Sequence, residues 1–229
     1  MDTNGQFKKE EFPPDFEDGE IAIIRAVEPY TMTGVDRIHA LIRAVKYIVA
    51  NQIPGDLVEC GVWKGGSVMA MALTLVQLSC TDRHLYLFDT FSGMTEPGKN
   101  DVDYLGRPAG EILEQIKSVA CEEEVRAAVY TTGYDRSHIH FVKGPVELTI
   151  PALAPDSVSL LRLDTDWYGS TRHELTHLFP RLSPRGVILV DDYGHWHGCR
   201  QAVDEYFAQE AIAMFLHRID YTGRIGIKA

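Results

Sequence analysis

Short apolar runs alternate along the chain with segments of helical periodicity. Five runs have the length of strands, and several end in an acidic residue: Asp56–Cys60, His84–Asp89, His138–Val142, Val158–Asp164 and Gly186–Asp191. The segments between them are long enough for helical crossovers, which join parallel strands in a right-handed sense. The pattern predicts an α/β fold in which helices cover both faces of a mostly parallel sheet.

The ends of the chain depart from this alternation. Before the first strand, apolar residues at three- and four-residue spacing predict an amphipathic helix over Val35–Val49. After a last helix around Cys199–Gln209, the runs Ile212–Leu216 and Arg224–Ile227 flank a short turn at 221–223. So short a connection requires a hairpin. The sheet is therefore expected to have seven strands and an antiparallel C-terminal strand.

Composition limits the partners of such a fold. The 229 residues are 45% hydrophobic and 24% charged, which suits one folded domain, predicted over residues 21–229, after an acidic flexible arm over residues 1–20. The 22 basic and 33 acidic residues give a formal charge of −11, which disfavours nucleic acid and anionic lipid as partners. No apolar run approaches the roughly 18 residues of a membrane span, so we expect a soluble, cytoplasmic protein.

A glycine-rich turn follows the first predicted strand, in VECGVWKGGS. Gly61, Gly65 and Gly66 let a ligand approach the backbone, and the next helix offers free N–H donors. The dinucleotide motif G-x-G-x-x-G is absent, because Trp63 replaces the glycine that admits a pyrophosphate. Asp89 ends the second strand, where an acidic side chain accepts hydrogen bonds from ribose. These features favour S-adenosylmethionine over NAD.

Three more carboxylates are expected at the same edge of the sheet. Asp164 ends the fourth strand, and Asp191 and Asp192 follow the fifth. They would repel one another unless a cation were bound, and an all-oxygen set suits Mg²⁺ or Mn²⁺. Such an ion binds two adjacent hydroxyls, of a sugar or of a catechol, and lowers the pKa of one. The proton would pass to Asp164, Asp166 or His195, among which the sequence leaves the choice open.

Together these segments resemble the macrocin O-methyltransferase family of sugar O-methyltransferases, which includes the mycinamicin and novobiocin enzymes. The similarity covers about residues 29–228 in the motifs YTMTGVDRIHALIRAV, GDLVECGVWKGGS, LYLFDTFSGM, VKGPVELTIP, LLRLDTDWYGSTRHEL, LSPRGVILVDDYGHW and RIDYTGRIGIK. The resemblance implies a Rossmann-like class I enzyme that uses S-adenosylmethionine and Mg²⁺ to methylate a sugar hydroxyl of a glycosylated natural product or saccharide. It also implies a homodimer or higher homo-oligomer.

The resemblance further implies which residues bind each group. Asp164, Asp191 and Asp192 would hold the metal, and two segments, 30–33 and 100–107, would fold over the cofactor and the acceptor. The expected cofactor contacts are Thr31, Met32, Glu59, Gly61, Val62, Trp63, Gly65, Ser67, Asp89, Thr90, Phe91, Ser92, Gly144, Pro145, Val146 and Asp164. Among these, Glu59, Gly61 and Ser67 would line the methionine end. Asp89 would bind the ribose, and the segment 144–146 would contact adenine.

Two other interpretations remain. A distant similarity to catechol O-methyltransferase keeps a phenolic acceptor open, and Trp63, Trp167 and Trp196 could stack on such a ring, on a sugar face, or fill the core. In that enzyme a lysine base lies three residues after the first metal aspartate; here Trp167 takes its place, so the lysine mechanism does not carry over. A nucleotide-sensing protein without chemistry is disfavoured, because it would not need three converging carboxylates.

Overall fold

The computed structural model describes residues 12–116 and 118–229, which contain a seven-stranded sheet in the order β3-β2-β1-β4-β5-β7-β6. Its strands are β1 Asp56–Cys60, β2 Leu85–Asp89, β3 Ile139–Lys143, β4 Val158–Leu163, β5 Leu182–Val190, β6 His217–Arg218 and β7 Arg224–Ile227. Strands β1 to β5 pair in parallel, and β7 pairs antiparallel with both β5 and β6. The predicted sheet, with its antiparallel C-terminal strand, is confirmed.

Helices cover both faces of this sheet. They are α1 Asp18–Val27, α2 Val35–Ala50, α3 Gly66–Gln77, α4 Ala109–Ile116, α5 Glu122–Tyr130, α6 Val146–Thr149, α7 Tyr168–Leu178 and α8 His197–Gln209. Alternate strand residues point to opposite faces, so Leu57 packs in one apolar cluster with α1, α2 and α3, and Val58 in a second with α7 and α8. None of the described helices is long and apolar enough to cross a membrane.

The folded body begins before the predicted boundary at residue 21. Helix α1 starts at Asp18, and Phe12 and Phe16 are buried in the same apolar cluster as this helix. Glu20 is fully buried and paired with Lys46. The described part of the predicted arm, residues 12–20, is therefore packed on the body; residues 1–11 lie outside the described residues. Two aromatic residues among prolines and acids show no periodicity, so this packing could not be predicted from the hydrophobic pattern.

The C-terminal hairpin is shorter than predicted. The run Ile212–Leu216 is irregular, and the strand before the turn is limited to His217–Arg218. Ile212, Met214 and Leu216 still pack against the core, while Phe215 is 79% exposed. The run is apolar throughout, but only every second side chain packs against the core, and the segment lacks the ladder of hydrogen bonds that defines a strand.

Candidate active site

A cavity of about 760 Å³ lies at the carboxyl ends of the parallel strands. In doubly wound sheets, ligands bind at the carboxyl ends of the two neighbouring strands whose crossover connections lead in opposite directions. In the strand order of this sheet, these two strands are β1 and β4. The predicted site residues that line it are Thr31, Met32, Glu59, Gly61, Val62, Trp63, Ser67, Asp89, Thr90, Gly144, Pro145, Val146, Asp164, Asp166, Asp191, Asp192 and His195.

Three predicted cofactor contacts are not among the lining residues. Gly65 precedes α3 with a φ of +91° and is the N-cap of that helix. Phe91 is 4% exposed and packs near Phe141 in the core. Ser92 is exposed, and its backbone N–H donates to the hydroxyl of Thr90. These residues shape the turns that carry the site, and the prediction that they contact the cofactor directly lacks support from the geometry.

The turn after β1 depends on a close approach between two strand ends. Gly61 has a φ of +84°, and a Cβ at this position would lie 1.9 Å from the carbonyl oxygen of Asp164. Glycine is therefore required here. Oδ2 of Asp89 accepts hydrogen bonds from the backbone N–H groups of Val62 at 2.6 Å and Trp63 at 3.0 Å. Asp89 thus ties this turn to the end of β2 while it lines the cavity.

The three carboxylates predicted to hold a metal lie together. Asp164, Asp191 and Asp192 each offer one oxygen, and these oxygens lie within 4.8 Å of one another. Burial raises the pKa of Asp191 to about 6 against the opposing charge of Arg162, and burial with nearby carboxylates raises the pKa of Asp192 well above its usual range. Oδ2 of Asp192 is buried without a hydrogen-bond partner among the described residues. This donor set fits a hard divalent cation, which would supply that missing partner.

An arginine that the sequence analysis missed lies against this acidic cluster. Arg162 in β4 is 2% exposed, and its guanidinium donates to Glu59 at 2.5 Å, Asp164 at 2.6 Å and Asp191 at 2.7 Å. Arg37 donates to the other oxygen of Asp191. The signal was available in LLRLD, because a central parallel strand covered on both faces holds a charged residue only when partners satisfy it.

Glu59 connects this network to the glycine turn. It is 1% exposed near the end of β1, and its Oε2 has no hydrogen-bond partner among the described residues. Burial raises the pKa of Glu59 to about 8, while the charge of Arg162 opposes that shift. A cationic group bound in the cavity would favour the ionised carboxylate.

The candidate proton acceptors Asp166 and His195 also line the cavity. Oδ1 of Asp166 accepts a hydrogen bond from the indole N–H of Trp196 at 2.8 Å, and burial raises its pKa well above the usual range. Nδ1 of His195 lies 3.0 Å from the hydroxyl oxygen of Tyr221. Burial lowers the pKa of His195, so its ring is neutral at pH 7 and able to accept a proton.

The three tryptophans have different surroundings. Trp167 and Trp196 are each 3% exposed, with ring centroids 5.0 Å apart in a T-shaped arrangement. They form part of the core. Trp63 is half-buried on the cavity wall, with Nζ of Lys64 4.7 Å from its ring centroid.

The two segments expected to cover the site also differ. Residues 30–33 line the cavity, and the carbonyl oxygen of Tyr30 would lie 2.6 Å from a Cβ at Gly66, so this segment packs directly on the start of α3. The 100–107 loop does not line the cavity itself, but the ring of Tyr104 packs near two lining residues, with its centroid 5.3 Å from that of His195 and 6.2 Å from that of Tyr221.

Comparisons with known proteins identify the family of this chain. Residues 7–225 match the family described as Macrocin-O-methyltransferase (TylF). The chain is 34% identical over 194 residues to demethyldecarbamoylnovobiocin O-methyltransferase of Streptomyces niveus, covering 85% of this chain and 74% of that protein. It is 36% identical over 198 residues to 8-demethyl-8-(2,3-dimethoxy-alpha-L-rhamnosyl)-tetracenomycin-C 4'-O-methyltransferase of Streptomyces olivaceus, with the same coverage of 85% and 74%.

A solved structure is similar over most of its length. The O-methyltransferase NovP superposes with a TM-score of 0.79 at 34% identity, covering 87% of this chain and 82% of that one. The family match spans nearly the whole chain, including every strand of the sheet except the end of β7. The chain therefore belongs to the macrocin O-methyltransferase family, and it is an O-methyltransferase of the S-adenosylmethionine-dependent class I fold.

Proposed function

We propose that this protein transfers the methyl group of S-adenosylmethionine to a sugar hydroxyl of a glycosylated natural product or saccharide, with Mg²⁺ or Mn²⁺ held by Asp164, Asp191 and Asp192. The observation that carries the metal is the cluster of three carboxylate oxygens within 4.8 Å, one member of which keeps a buried oxygen without a partner. A sugar acceptor is supported by the Streptomyces olivaceus relative, whose name specifies a rhamnosyl compound.

In this proposal the cofactor occupies the β1 and β2 side of the cavity. The unpartnered Oε2 of Glu59 suits the positive charge of the methionine moiety. Asp89 accepts a hydrogen bond from the ribose through Oδ1, which keeps a second lone pair beyond the one used by the backbone N–H of Phe91, whereas Oδ2 already accepts from two backbone N–H groups. The lining segment 144–146 contacts the adenine.

The acceptor occupies the β4 and β5 side, beside the acidic cluster. Asp164, Asp191 and Asp192 would hold a divalent ion there, which would supply Lewis acidity to the acceptor hydroxyls. The acceptor oxygen forms its bond to the methyl carbon as the carbon–sulfur bond breaks, and holding the groups in line supplies much of the rate. The hydroxyl proton passes to Asp164, Asp166 or His195; a pH–rate profile of His195→Ala that matches the wild type would return this role to the aspartates.

A phenolic acceptor is less well supported by the same cavity. Two of the tryptophans that would have stacked on a flat ring, Trp167 and Trp196, are buried in the core. Both border the cavity but are only 3% exposed, whereas Trp63 presents a more exposed face that serves a sugar as well as an aromatic ring.

The test is a mass-spectrometric screen of glycosides and phenols with methyl-labelled S-adenosylmethionine. We expect labelled methyl on a sugar bearing two adjacent hydroxyls, turnover that stops in EDTA, and recovery with Mg²⁺. Full turnover in EDTA would contradict the metal, and label on phenols alone would contradict the sugar. Light scattering on the same preparation measures whether the chain forms the homodimer or higher oligomer that the family resemblance suggests.

A further inference from the structure

The guanidinium of Arg162 is buried and donates hydrogen bonds to acceptors on four separate segments. It lies in the central strand β4 between Leu161 and Leu163, and burying a guanidinium is unfavourable unless its N–H groups are satisfied. Its acceptors come from four separate segments: Glu59 in β1, Asp164 after β4, Asp191 after β5 and Thr33 before α2, the last at 3.0 Å.

The two ends of the guanidinium divide these partners in a fixed way. Nη1 donates to Glu59 and Asp164, and Nη2 donates to Asp191 and Thr33. The guanidinium is planar and its N–H directions are rigid, so it fixes the carboxylates relative to one another. A lysine ammonium is a point charge on a flexible stem and imposes no such relation.

These partners belong to both halves of the proposed site. Glu59 has its unpartnered Oε2 on the cofactor side, whereas Asp164 and Asp191 belong to the acidic cluster. Asp191 is held a second time by Arg37, which also pairs with Asp220 at 2.9 Å. The carboxylate of Asp191 therefore cannot turn without the movement of two guanidinium groups.

We propose that Arg162 is a positioning residue that fixes the cofactor half of the site relative to the metal half. It acts through Glu59, Asp164 and Asp191, and it keeps the sulfonium methyl and the acceptor hydroxyl in line. The proposal rests on the proposed function, which gives these carboxylates their ligands. A displacement of about 1 Å in such a geometry costs roughly a hundredfold in rate.

The test compares Arg162→Lys with Arg83→Lys. Arg83 is a half-buried arginine whose guanidinium donates to the carbonyl of Gly55 at 2.8 Å and to Ser159 at 3.0 Å, next to the opposite, N-terminal ends of β1 and β4. Three quantities are measured: Mn²⁺ affinity by electron paramagnetic resonance without substrate, S-adenosylhomocysteine affinity by calorimetry, and kcat with KM.

For Arg162→Lys we expect Mn²⁺ affinity to fall by about 10- to 100-fold, as for other residues that orient metal ligands. S-adenosylhomocysteine affinity should fall as well, and kcat should fall more than KM for the acceptor rises. Arg83→Lys should match the wild type in all three. A lower melting temperature of Arg162→Lys with wild-type affinities for both ligands would show a purely structural role and overturn the proposal.

Loss of only one of the two affinities would also overturn it, since the two halves would then be independent. If the wild type binds neither ligand, the proposed function fails before Arg162 is tested. Should Arg162→Lys not fold, Glu59→Leu provides the second test. It removes the acceptor that holds Nη1 on the cofactor side, so the guanidinium is free to shift relative to Asp164 and Asp191, and Mn²⁺ affinity should fall several-fold; an unchanged Mn²⁺ affinity would contradict the link.

Discussion

Two regions of the molecule bury carboxylates with opposite consequences. Glu20 on α1 is fully buried, and burial alone would raise its pKa, yet hydrogen bonds from Lys46 and from the backbone N–H of Glu17 lower it to about 2. In the active-site cavity, burial dominates instead, and it raises the pKa of Asp191 to about 6 and that of Asp192 well above its usual range.

The difference lies in the number of cations around each group. Glu20 is contacted by His39, Arg43 and Lys46. In the cavity, two arginines, Arg162 and Arg37, face a larger set of carboxylates: Glu59, Asp164, Asp166, Asp191 and Asp192. A compensated carboxylate stabilises the fold, whereas a group of undercompensated ones attracts an added cation. The net charge of −11 does not by itself distinguish compensated from undercompensated carboxylates.

The largest effect is expected for Asp192→Asn in the undercompensated region. This change removes the charge of the group whose Oδ2 has no partner, and it keeps the shape of the side chain. We expect kcat to fall by about 100-fold or more because metal binding is lost. S-adenosylhomocysteine affinity, measured by calorimetry, should stay within about threefold of the wild type. A variant with normal kcat would remove Asp192 from the metal site.

A smaller and different effect is expected for Glu20→Gln in the compensated region. The loss of buried, charge-assisted hydrogen bonds should lower the free energy of unfolding by about 1–3 kcal/mol, measured by urea denaturation. The kcat at saturating substrate should be unchanged. Glu17→Gln is the matched control, because its side chain is 61% exposed, and it should cost less than about 0.5 kcal/mol. Equal losses in the two variants would contradict the role assigned to burial.

The free energy of unfolding should also depend on pH in the way that the contacts of Glu20 imply. The pKa of Glu20 is lowered from 4.5 to about 2, so its contribution is fully present above pH 4.5 and is lost as the pH falls towards 2. The wild type should therefore lose stability more steeply than Glu20→Gln over that interval, in urea denaturation at a series of pH values. Parallel curves for the two proteins would show that Glu20 does not titrate as its contacts imply.

The smallest effect is expected at the cavity mouth, for Tyr104→Ala. The ring of Tyr104 lies beside His195 and is 53% exposed, so its removal takes away one side of the acceptor entrance. We expect KM for the acceptor to rise by about 2- to 5-fold while kcat stays within about twofold. Phe215→Ala removes an aromatic ring that is 79% exposed next to β6, and it should leave both constants unchanged. A wild-type KM for Tyr104→Ala would place the acceptor elsewhere.

The sequence predicted those parts of the fold and of the acidic cluster that depend only on where a residue lies along a strand. Asp164 and Asp191 follow buried apolar runs, and parallel strands bring their carboxyl ends to one edge, so the acidic cluster could be expected without coordinates. The parallel pairing of the first five strands and the antiparallel last strand were predicted from connection lengths.

The features that were missed depend on contacts distant in the chain. Arg162 binds Glu59 and Thr33, which lie 103 and 129 positions away, and no local pattern indicates such pairs. Phe12 is buried although its neighbours are polar or proline, so periodicity could not place it. The run Ile212–Leu216 is as apolar as a buried strand, but only every second side chain packs against the core and no strand forms there.

The most direct test of the difference between the two regions is a titration of the wild type, Asp192→Asn and Glu20→Gln with Mn²⁺, followed by electron paramagnetic resonance. We expect the wild type and Glu20→Gln to bind one ion per chain with the same affinity, and Asp192→Asn to bind at least about 10-fold more weakly. A wild type that binds no ion, or an Asp192→Asn variant that binds it equally well, would contradict the account.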